Sequence, residues 1–245
     1  MEFLMERWYM AAGQRFSVRK YSDSPSGEDI RSLLKTAKML EVSNMRVAIG
    51  FCERIFSSLF MGLGRIKGTD CFAAFIGKDT EPAAVGYLGE AFILECTALG
   101  LGTCWLGAFH KGKVAKVVKT EKGEEIACIT AVGVAAEPYA ARPRKSLQTL
   151  TGLNNKQLTE LPEWQLRALE CARLAPSAVN AQPYEFIVED GSIGIRRISP
   201  NFGYGEVDCG IAMLHIELGA AHAGVSGKWD KKDDYAIFVP IAYDR

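Results

Sequence analysis

Near the start of the chain, two arginines flank a serine at alternating positions, in the segment Arg15-Phe16-Ser17-Val18-Arg19. In an extended segment, this alternation places Arg15, Ser17 and Arg19 on one side. The planar guanidinium group meets phosphate oxygens with two parallel hydrogen bonds. The segment therefore predicts a phosphate site. The alternative interpretation is a solvated basic edge, which short basic runs form more often.

A second group of polar side chains follows a predicted helix, in the segment APSAVNAQP at residues 175–183. Its two prolines frame a rigid turn that presents Ser177, Asn180 and Gln182. Hydroxyl and amide groups both donate and accept hydrogen bonds, so this turn suits the polar edge of a heteroaromatic ring. The alternative is a helix end whose Ser and Asn satisfy nearby backbone groups.

Two further segments have residue types that suit a ligand. The segment GLGTCWLGAF at 100–109 follows a helix and lacks the G-x-G-x-x-G spacing, which excludes a Rossmann-type dinucleotide site. Its glycines would let backbone approach a flat ligand, or would only end the helix. The segment Arg142-Pro143-Arg144-Lys145 offers cations for a phosphate, or a solvated linker.

The elements that must position these groups occur twice in the sequence. Residues 85–105 and 207–229 align at an offset of 122 positions. Each contains a long apolar helix pattern, is preceded by a shorter helix pattern and an apolar strand, and is followed by a strand-like run. The identities are Val85 with Val207, Glu95 with Glu217, Ala98 with Ala220 and Gly102 with Gly224. The sequence therefore predicts an internal duplication in the order helix, strand, long helix, strand.

This pattern divides the chain into a first repeat at 13–136, a linker at 137–162 and a second repeat at 163–245. The linker contains three prolines and no apolar periodicity. Alternating strands and helices indicate an α+β or α/β sheet with helices on its faces. Helices are predicted at 3–12, 31–38, 83–100 and 163–174, with Ser26 as the N-cap ahead of the second helix. Strands are predicted at 71–77, 126–134, 184–191 and 235–243. Residues 39–67 are predicted helical or irregular, and 105–119 a loop leading into a short basic helix.

Composition limits the class of protein. The 245 residues are 48% hydrophobic with a net charge of zero, which indicates a globular protein and gives no electrostatic case for nucleic acid or an anionic membrane. The sequence has no membrane-length apolar run, and its first ten residues are too charged for a signal peptide. Seven cysteines without paired spacing and only three histidines favour a reducing cytoplasm and argue against a zinc site.

Together, the four motifs resemble the flavin-dependent nitroreductase family. In ordinary members, R-x-S-x-R, A-P-S-x-x-N-x-Q-P, G-L-G-x-x-W-x-G and R-x-R occur in one copy of the unit, and two chains pair around FMN. Here the first repeat has RFSVR, GLGTCWLG and RPR but reads AKMLEVSNMRVAIG where the turn is expected, and the second repeat has APSAVNAQP. This division resembles the single-chain, pseudo-dimeric branch. It implies a nitroreductase-like α+β fold in which a monomer mimics the homodimer, with further oligomerisation possible.

The resemblance implies a role for each motif. Arg15, Ser17 and Arg19 would hold the FMN phosphate and the polar edge of the ring, and Arg142 and Arg144 would complete the phosphate clamp. Pro176, Ser177 and Asn180 would line the ring from the second repeat. Leu106 and Gly107 would pass beneath the ring, with the Gly107 amide donating to N5; family members often have an acidic residue at this position. Ser43-Asn44 would be a degenerate remnant of a second site.

The implied activity is an FMN-dependent NAD(P)H oxidoreductase that reduces small electrophiles, such as nitroaromatics or quinones, by ping-pong hydride transfer through flavin N5. No catalytic side chain and no metal is expected, because the flavin carries the chemistry. Trp105 and Phe109 suit either an apolar substrate face or the core. Three alternatives remain: a non-catalytic flavin-binding or flavin-sensing protein, a relative that performs dehalogenation or flavin destruction, and a structural descendant without flavin.

Overall fold

The computed structural model describes residues 2–53, 55–56, 66–189 and 191–241, and the chain separates into two compact units. The central unit comprises Gln14–Arg142, and the terminal unit combines Met1–Gly13 with Pro143–Arg245. The central unit nearly matches the first repeat of the sequence. The terminal unit takes in the N-terminal helix as well as the predicted linker.

Helices and strands alternate along the described residues, as the sequence predicts. The helices are α1 (Glu2–Ala12), α2 (Gly27–Met39), α3 (Pro82–Ala98), α4 (Lys111–Val117), α5 (Leu147–Thr151), α6 (Asn155–Thr159), α7 (Glu163–Arg173) and α8 (Gly205–His222). The strands are β1 (Tyr21–Asp23), β2 (Met45–Phe51), β3 (Cys71–Lys78), β4 (Gly102–Leu106), β5 (Glu124–Ala135), β6 (Tyr184–Glu189), β7 (Ser192–Arg197), β8 (Gly227–Lys231) and β9 (Ala236–Pro240). Among the described residues, no helix is both long enough and apolar enough to cross a membrane.

Each unit contains one antiparallel sheet, and the two sheets have the same pairing. In the central unit, β2 pairs with β3, β3 with β5, and β5 with β4, while β1 adds to β5. In the terminal unit, β6 pairs with β7, β7 with β9, and β9 with β8. Both units therefore follow the order helix, strand, strand, long helix, strand, strand. This shared topology supports the predicted duplication, whose origin stays a prediction.

Local sequence signals account for several element boundaries. Ser26 is the N-cap predicted for α2: its hydroxyl accepts a hydrogen bond from the Asp29 N–H at 3.2 Å, and the Asp29 carboxylate accepts one from the Ser26 N–H at 2.9 Å. The apolar run that predicts a buried strand forms β3, whose residues 71–76 are all buried. Gly100, in a left-handed conformation with φ of +81°, follows the end of α3.

Five strands, β1, β2, β4, β7 and β8, were not predicted from the sequence. The interpretation of residues 39–67 as helical or irregular is wrong for β2, and residue 54 and residues 57–65 of that stretch lie outside the described residues. The segment 100–109 contains β4, where the sequence predicts a helix end at the glycines and a loop from residue 105. Pairing with β5 across the sheet outweighs the low strand preference of glycine there. Strands β7 and β8 also lack an apolar alternation strong enough to predict them.

The segment 137–162 is not a simple linker. It contains α5 and α6, which begin at the N-cap side chains of Ser146 and Asn154. Each of these short helices buries one leucine, Leu150 and Leu158. A single buried leucine in five residues is too little for a helical periodicity to appear in the sequence.

A close helix contact in the terminal unit gives a stability test. A Cβ atom at Gly219 of α8 would lie 2.5 Å from the Arg167 backbone oxygen and 2.6 Å from the Ala168 Cα of α7. We expect Gly219→Ala to lower the free energy of unfolding by about 1–3 kcal/mol, because backbone must move to admit the methyl group. Urea denaturation measures the change.

The matched control is Gly112→Ala in α4, where the nearest atom, Cε1 of His110, is 3.6 Å from the added Cβ. This change should be neutral or stabilising by up to ~1 kcal/mol, because alanine is the better helix former. Equal effects at both positions would contradict the close-packing argument.

Candidate active site

In the central unit, the structure brings the first and third motifs together. The Val18 N–H donates a hydrogen bond to the Thr103 backbone oxygen at 2.8 Å, and Ser17 forms a parallel bridge with Thr103 on β4. A Cβ at Gly102 would lie only 2.7 Å from the Val18 side chain. The glycine is therefore needed for a close approach between the RFSVR segment and β4, and it does more than end a helix.

Arg15 is buried instead of solvated. It is 7% exposed, and its Nε lies 3.5 Å from Oε1 of Glu90, whose side chain is 0% exposed. The other Glu90 carboxylate oxygen accepts a hydrogen bond from the Trp105 indole N–H at 2.7 Å. The Arg15 Nε has no hydrogen-bond partner among the described residues. The interpretation of RFSVR as a solvated basic edge is therefore wrong for Arg15.

Three arginines and one glutamate act electrostatically on β4. Burial and the charge of Glu137 raise the pKa of the Cys104 thiol on this strand, and the charges of Arg19, Arg15 and Arg142 lower it. Arg19 is half-buried and Arg142 is exposed. Arginines from the first and fourth motifs thus act electrostatically on one buried residue of the third motif. This arrangement suits an anionic group at the β4 end of the central unit.

Trp105 packs in the core of the central unit. Its ring centroid lies 4.7 Å from that of Phe75 on β3, and it contacts α3 at Gly89. Phe109 and Leu106 are partly buried against the neighbouring hydrophobic cluster. Trp105 and Phe109 therefore contact the hydrophobic core, as the interpretation of both rings as core residues requires. Gly107 follows β4 directly and is half-buried.

In the terminal unit, the second motif contacts the end of the fourth. Arg144 donates hydrogen bonds to the Leu174 backbone oxygen from Nε and Nη2, at 3.3 and 3.1 Å, and to Asn180 Oδ1 from Nη1. The Asn180 amide in turn donates to the Pro143 oxygen at 2.9 Å. Arg144 and Asn180 therefore have a structural role in fixing the turn after α7, and their contacts with FMN stay predictions.

The turn has an unusual backbone that its hydrogen bonds maintain. Val179, Asn180 and Gln182 have φ of 49°, 59° and 48°. Non-glycine residues in this region cost about 1–3 kcal/mol each, and they cluster at functional sites. The Gln182 N–H donates to the Ser177 hydroxyl at 2.8 Å, and the Lys145 ammonium donates to the Gln182 backbone oxygen at 2.8 Å. The backbone bonds of Ser177 and Asn180 are those that the interpretation as a helix end requires, and the functional interpretation of this turn stays a prediction.

Sequence analysis missed a buried acid that holds this turn. Asp208 of α8 is 2% exposed and accepts hydrogen bonds from the Ala178 N–H at 2.8 Å and from the Asn201 amide at 2.6 Å. Burial raises the pKa of Asp208 to about 6. Pro176 is buried in the same turn. The available signal was an aspartate inside the apolar run VDCGIAML, where a carboxylate needs buried partners.

The corresponding turn of the central unit is much shorter. Five residues, 40–44, connect α2 to β2, whereas ten residues, 174–183, connect α7 to β6. Ser43 and Asn44 lie in the short connection, where the Asn44 oxygen accepts a hydrogen bond from the Lys78 N–H at 2.9 Å. Residues 40–44 contain no proline and no residue with a positive φ, whereas the longer connection contains Pro176 and Pro183 and three left-handed residues. The geometry thus gives no support to a second working site at Ser43-Asn44.

Comparisons with known proteins identify the family. A family model described as "Putative TM nitroreductase" matches residues 8–220. The chain therefore belongs to this nitroreductase family and, with it, to the oxidoreductases. The crystal structure of a putative nitroreductase from Thermotoga maritima is 21% identical, with a TM-score of 0.69, and the match covers 95% of this chain and 93% of that one. It shares the fold, which confirms the predicted nitroreductase-like α+β class.

Shorter proteins give weaker structural matches. An FMN-dependent nitroreductase from Clostridium difficile is 16% identical with a TM-score of 0.45, covering 62% of this chain and 96% of that one. A nitroreductase family protein from Streptococcus pneumoniae is 12% identical with a TM-score of 0.48, covering 60% and 100%. A search of the curated proteins found no match to this chain.

The buried Asp208 gives a pH-dependent prediction. Because burial raises its pKa from the ordinary 3.8 to about 6, folding favours the protonated form. The stability that this group contributes is present below about pH 4 and is lost as the pH rises through 6. Relative to Asp208→Asn, the wild-type protein should therefore lose free energy of unfolding between pH 4 and pH 7, as measured by urea denaturation.

The control is Asp233→Asn, at an exposed position of the same unit. Its stability difference from the wild type should stay nearly constant over this pH range. A constant difference for Asp208→Asn as well would show that Asp208 keeps its ordinary pKa in the folded protein.

Proposed function

We propose that the chain is an FMN-dependent oxidoreductase that accepts hydride from NAD(P)H and passes it to electrophiles such as nitroaromatics or quinones. The observation that carries this proposal is the buried Arg15, whose Nε has no hydrogen-bond partner among the described residues, in a segment that hydrogen-bonds to β4. In a nitroreductase-family chain, this cationic group is where an anionic cofactor would be held.

The residues of the central unit fit the chemistry of FMN. The phosphate carries negative charge, and the half-buried Arg19 and exposed Arg142 offer guanidinium groups to it. Arg15 supplies a buried cation whose Nε has no hydrogen-bond partner among the described residues, and it suits the polar edge of the flavin ring. The Ser17 hydroxyl and the Gly107 amide are the expected neutral donors, and Leu106 is the expected apolar contact.

The terminal unit supplies the remaining predicted contacts. Pro176, Ser177 and Asn180 would line the ring, on a turn whose shape Arg144 and Asp208 fix through hydrogen bonds. FMN, when bound, supplies the hydride-transfer chemistry. The chain's own residues bind and orient it, offset its negative charge and limit the access of water, so no side chain is assigned as a general acid or base.

Flavin stoichiometry is the first test. Purified protein is saturated with FMN, freed of excess, and its absorbance spectrum and molar mass in solution are measured. We expect one FMN per chain in a monomer, because only the terminal unit has the ten-residue turn. Two FMN per chain would show that Ser43-Asn44 still works. No bound FMN would exclude the proposed function, and bound FMN without NAD(P)H oxidation would favour a flavin-sensing protein.

Removing the accessible cations tests the phosphate assignment. Arg19→Ala and Arg142→Ala should each weaken FMN binding roughly tenfold or more, because a hydrogen bond to a charged group contributes ~1.5–3 kcal/mol. Fluorescence titration with FMN measures the affinity. Lys116→Ala, which removes an exposed cation from α4 of the same unit, is the control and should leave the affinity unchanged. If both arginine variants bind FMN as tightly as the control does, the phosphate assignment is wrong.

A further inference from the structure

We propose that Glu90 is a positioning residue that holds the first and third motifs together and offsets the charge that Arg15 presents to the flavin. This inference rests on the proposed FMN site and adds to it a residue of α3 that no motif of the sequence includes. Glu90 is assigned no direct contact with FMN. It acts through Arg15 and Trp105.

A carboxylate at the position of Glu90 on α3 would destabilise the folded protein if it had no charged or hydrogen-bonding partner. Glu90 lies among residues 89–96 of the helix, all of which are buried. A carboxylate in such surroundings requires a counter-ion and hydrogen-bond donors. The structure provides both, since one Glu90 oxygen lies 3.5 Å from Arg15 Nε and the other accepts the Trp105 indole N–H at 2.7 Å.

The neighbouring glycine makes this arrangement possible. A Cβ at Gly89 would lie 2.4 Å from Cη2 of Trp105, so only glycine lets the indole lie against α3. Trp105 directly precedes Leu106 and Gly107, the two residues predicted to pass beneath the flavin ring. The Glu90 carboxylate therefore fixes the strand next to the predicted ring contact as well as the cation of the first motif.

The charges of Arg15 and Glu90 provide a test that distinguishes the proposed role from a purely structural one. Reduced flavin is more negative than oxidised flavin, so a nearby cation stabilises the reduced form and a nearby carboxylate opposes it. Arg15 and Glu90 should consequently act with opposite signs on the midpoint potential of bound FMN. A residue that only supports the fold has no reason to produce opposite signs.

The experiment measures the midpoint potential of FMN bound to purified variants by spectroelectrochemistry, with thermal unfolding as a check on folding. We expect a positive shift in Glu90→Gln, a negative shift in Arg15→Gln and a value near the wild type in the double variant. Trp105→Phe keeps both charges but removes a donor from the carboxylate, so it should shift the potential negatively. If either single charge variant does not fold, the potential shift of Trp105→Phe tests the inference on its own.

The matched control is Glu217→Gln in the terminal unit. The Glu217 carboxylate also accepts an indole N–H, from Trp229 at 3.1 Å, but this unit lacks the R-x-S-x-R motif. The midpoint potential of FMN bound to Glu217→Gln should equal that of FMN bound to the wild-type protein. Shifts of the same sign in Glu90→Gln and Arg15→Gln, or an unshifted Trp105→Phe, would overturn the inference while leaving the FMN site intact. A wild-type protein that binds no FMN would overturn both.

Discussion

The buried pair of Arg15 and Glu90 is the interaction on which the central unit's candidate site depends. A carboxylate inside an apolar helix requires a cation, and a buried cation requires a carboxylate, so neither residue is stable in place without the other. The pair brings the RFSVR segment to α3, and the Glu90–Trp105 bond brings β4 to the same helix. The contact at Gly102 then closes the segment onto the strand.

The two units share a topology but differ in the length of one loop. Both units build an antiparallel sheet with the same strand pairing, yet the first connection has five residues in one and ten in the other. The longer connection has room for Ser177 and Asn180 and for the left-handed residues that present them. The central unit instead has the arginine segment beside β4. A difference in the loops, with the same strand pairing, is therefore enough to give each unit a different set of proposed ligand-binding groups.

The sequence predicted what depends on local pattern and missed what depends on distant partners. The Ser26 cap, the buried strand β3 and the long helices α3 and α8 have signals within a few residues, and the structure confirms them. Strand β4 begins at a glycine and is defined by its pairing with β5, farther along the chain. Glu90 and Asp208 escaped notice for the same reason, since their partners lie 75 and 30 residues away in the sequence.

Glu90 and Asp208 have the same structural role, each in its own unit. Each long apolar helix contains a buried acid that contacts the segment of its own unit that is expected to bind the ligand. Glu90 forms an ion pair with Arg15, and Asp208 accepts a hydrogen bond from the Ala178 N–H. At the offset of 122 that aligns the repeats, Glu90 corresponds to Ala212 and Asp208 to Gly86. The acids are thus not equivalent positions. If the units derive from one ancestor, each acid was fixed with its own motif, because a strained turn and a buried arginine need different anchors.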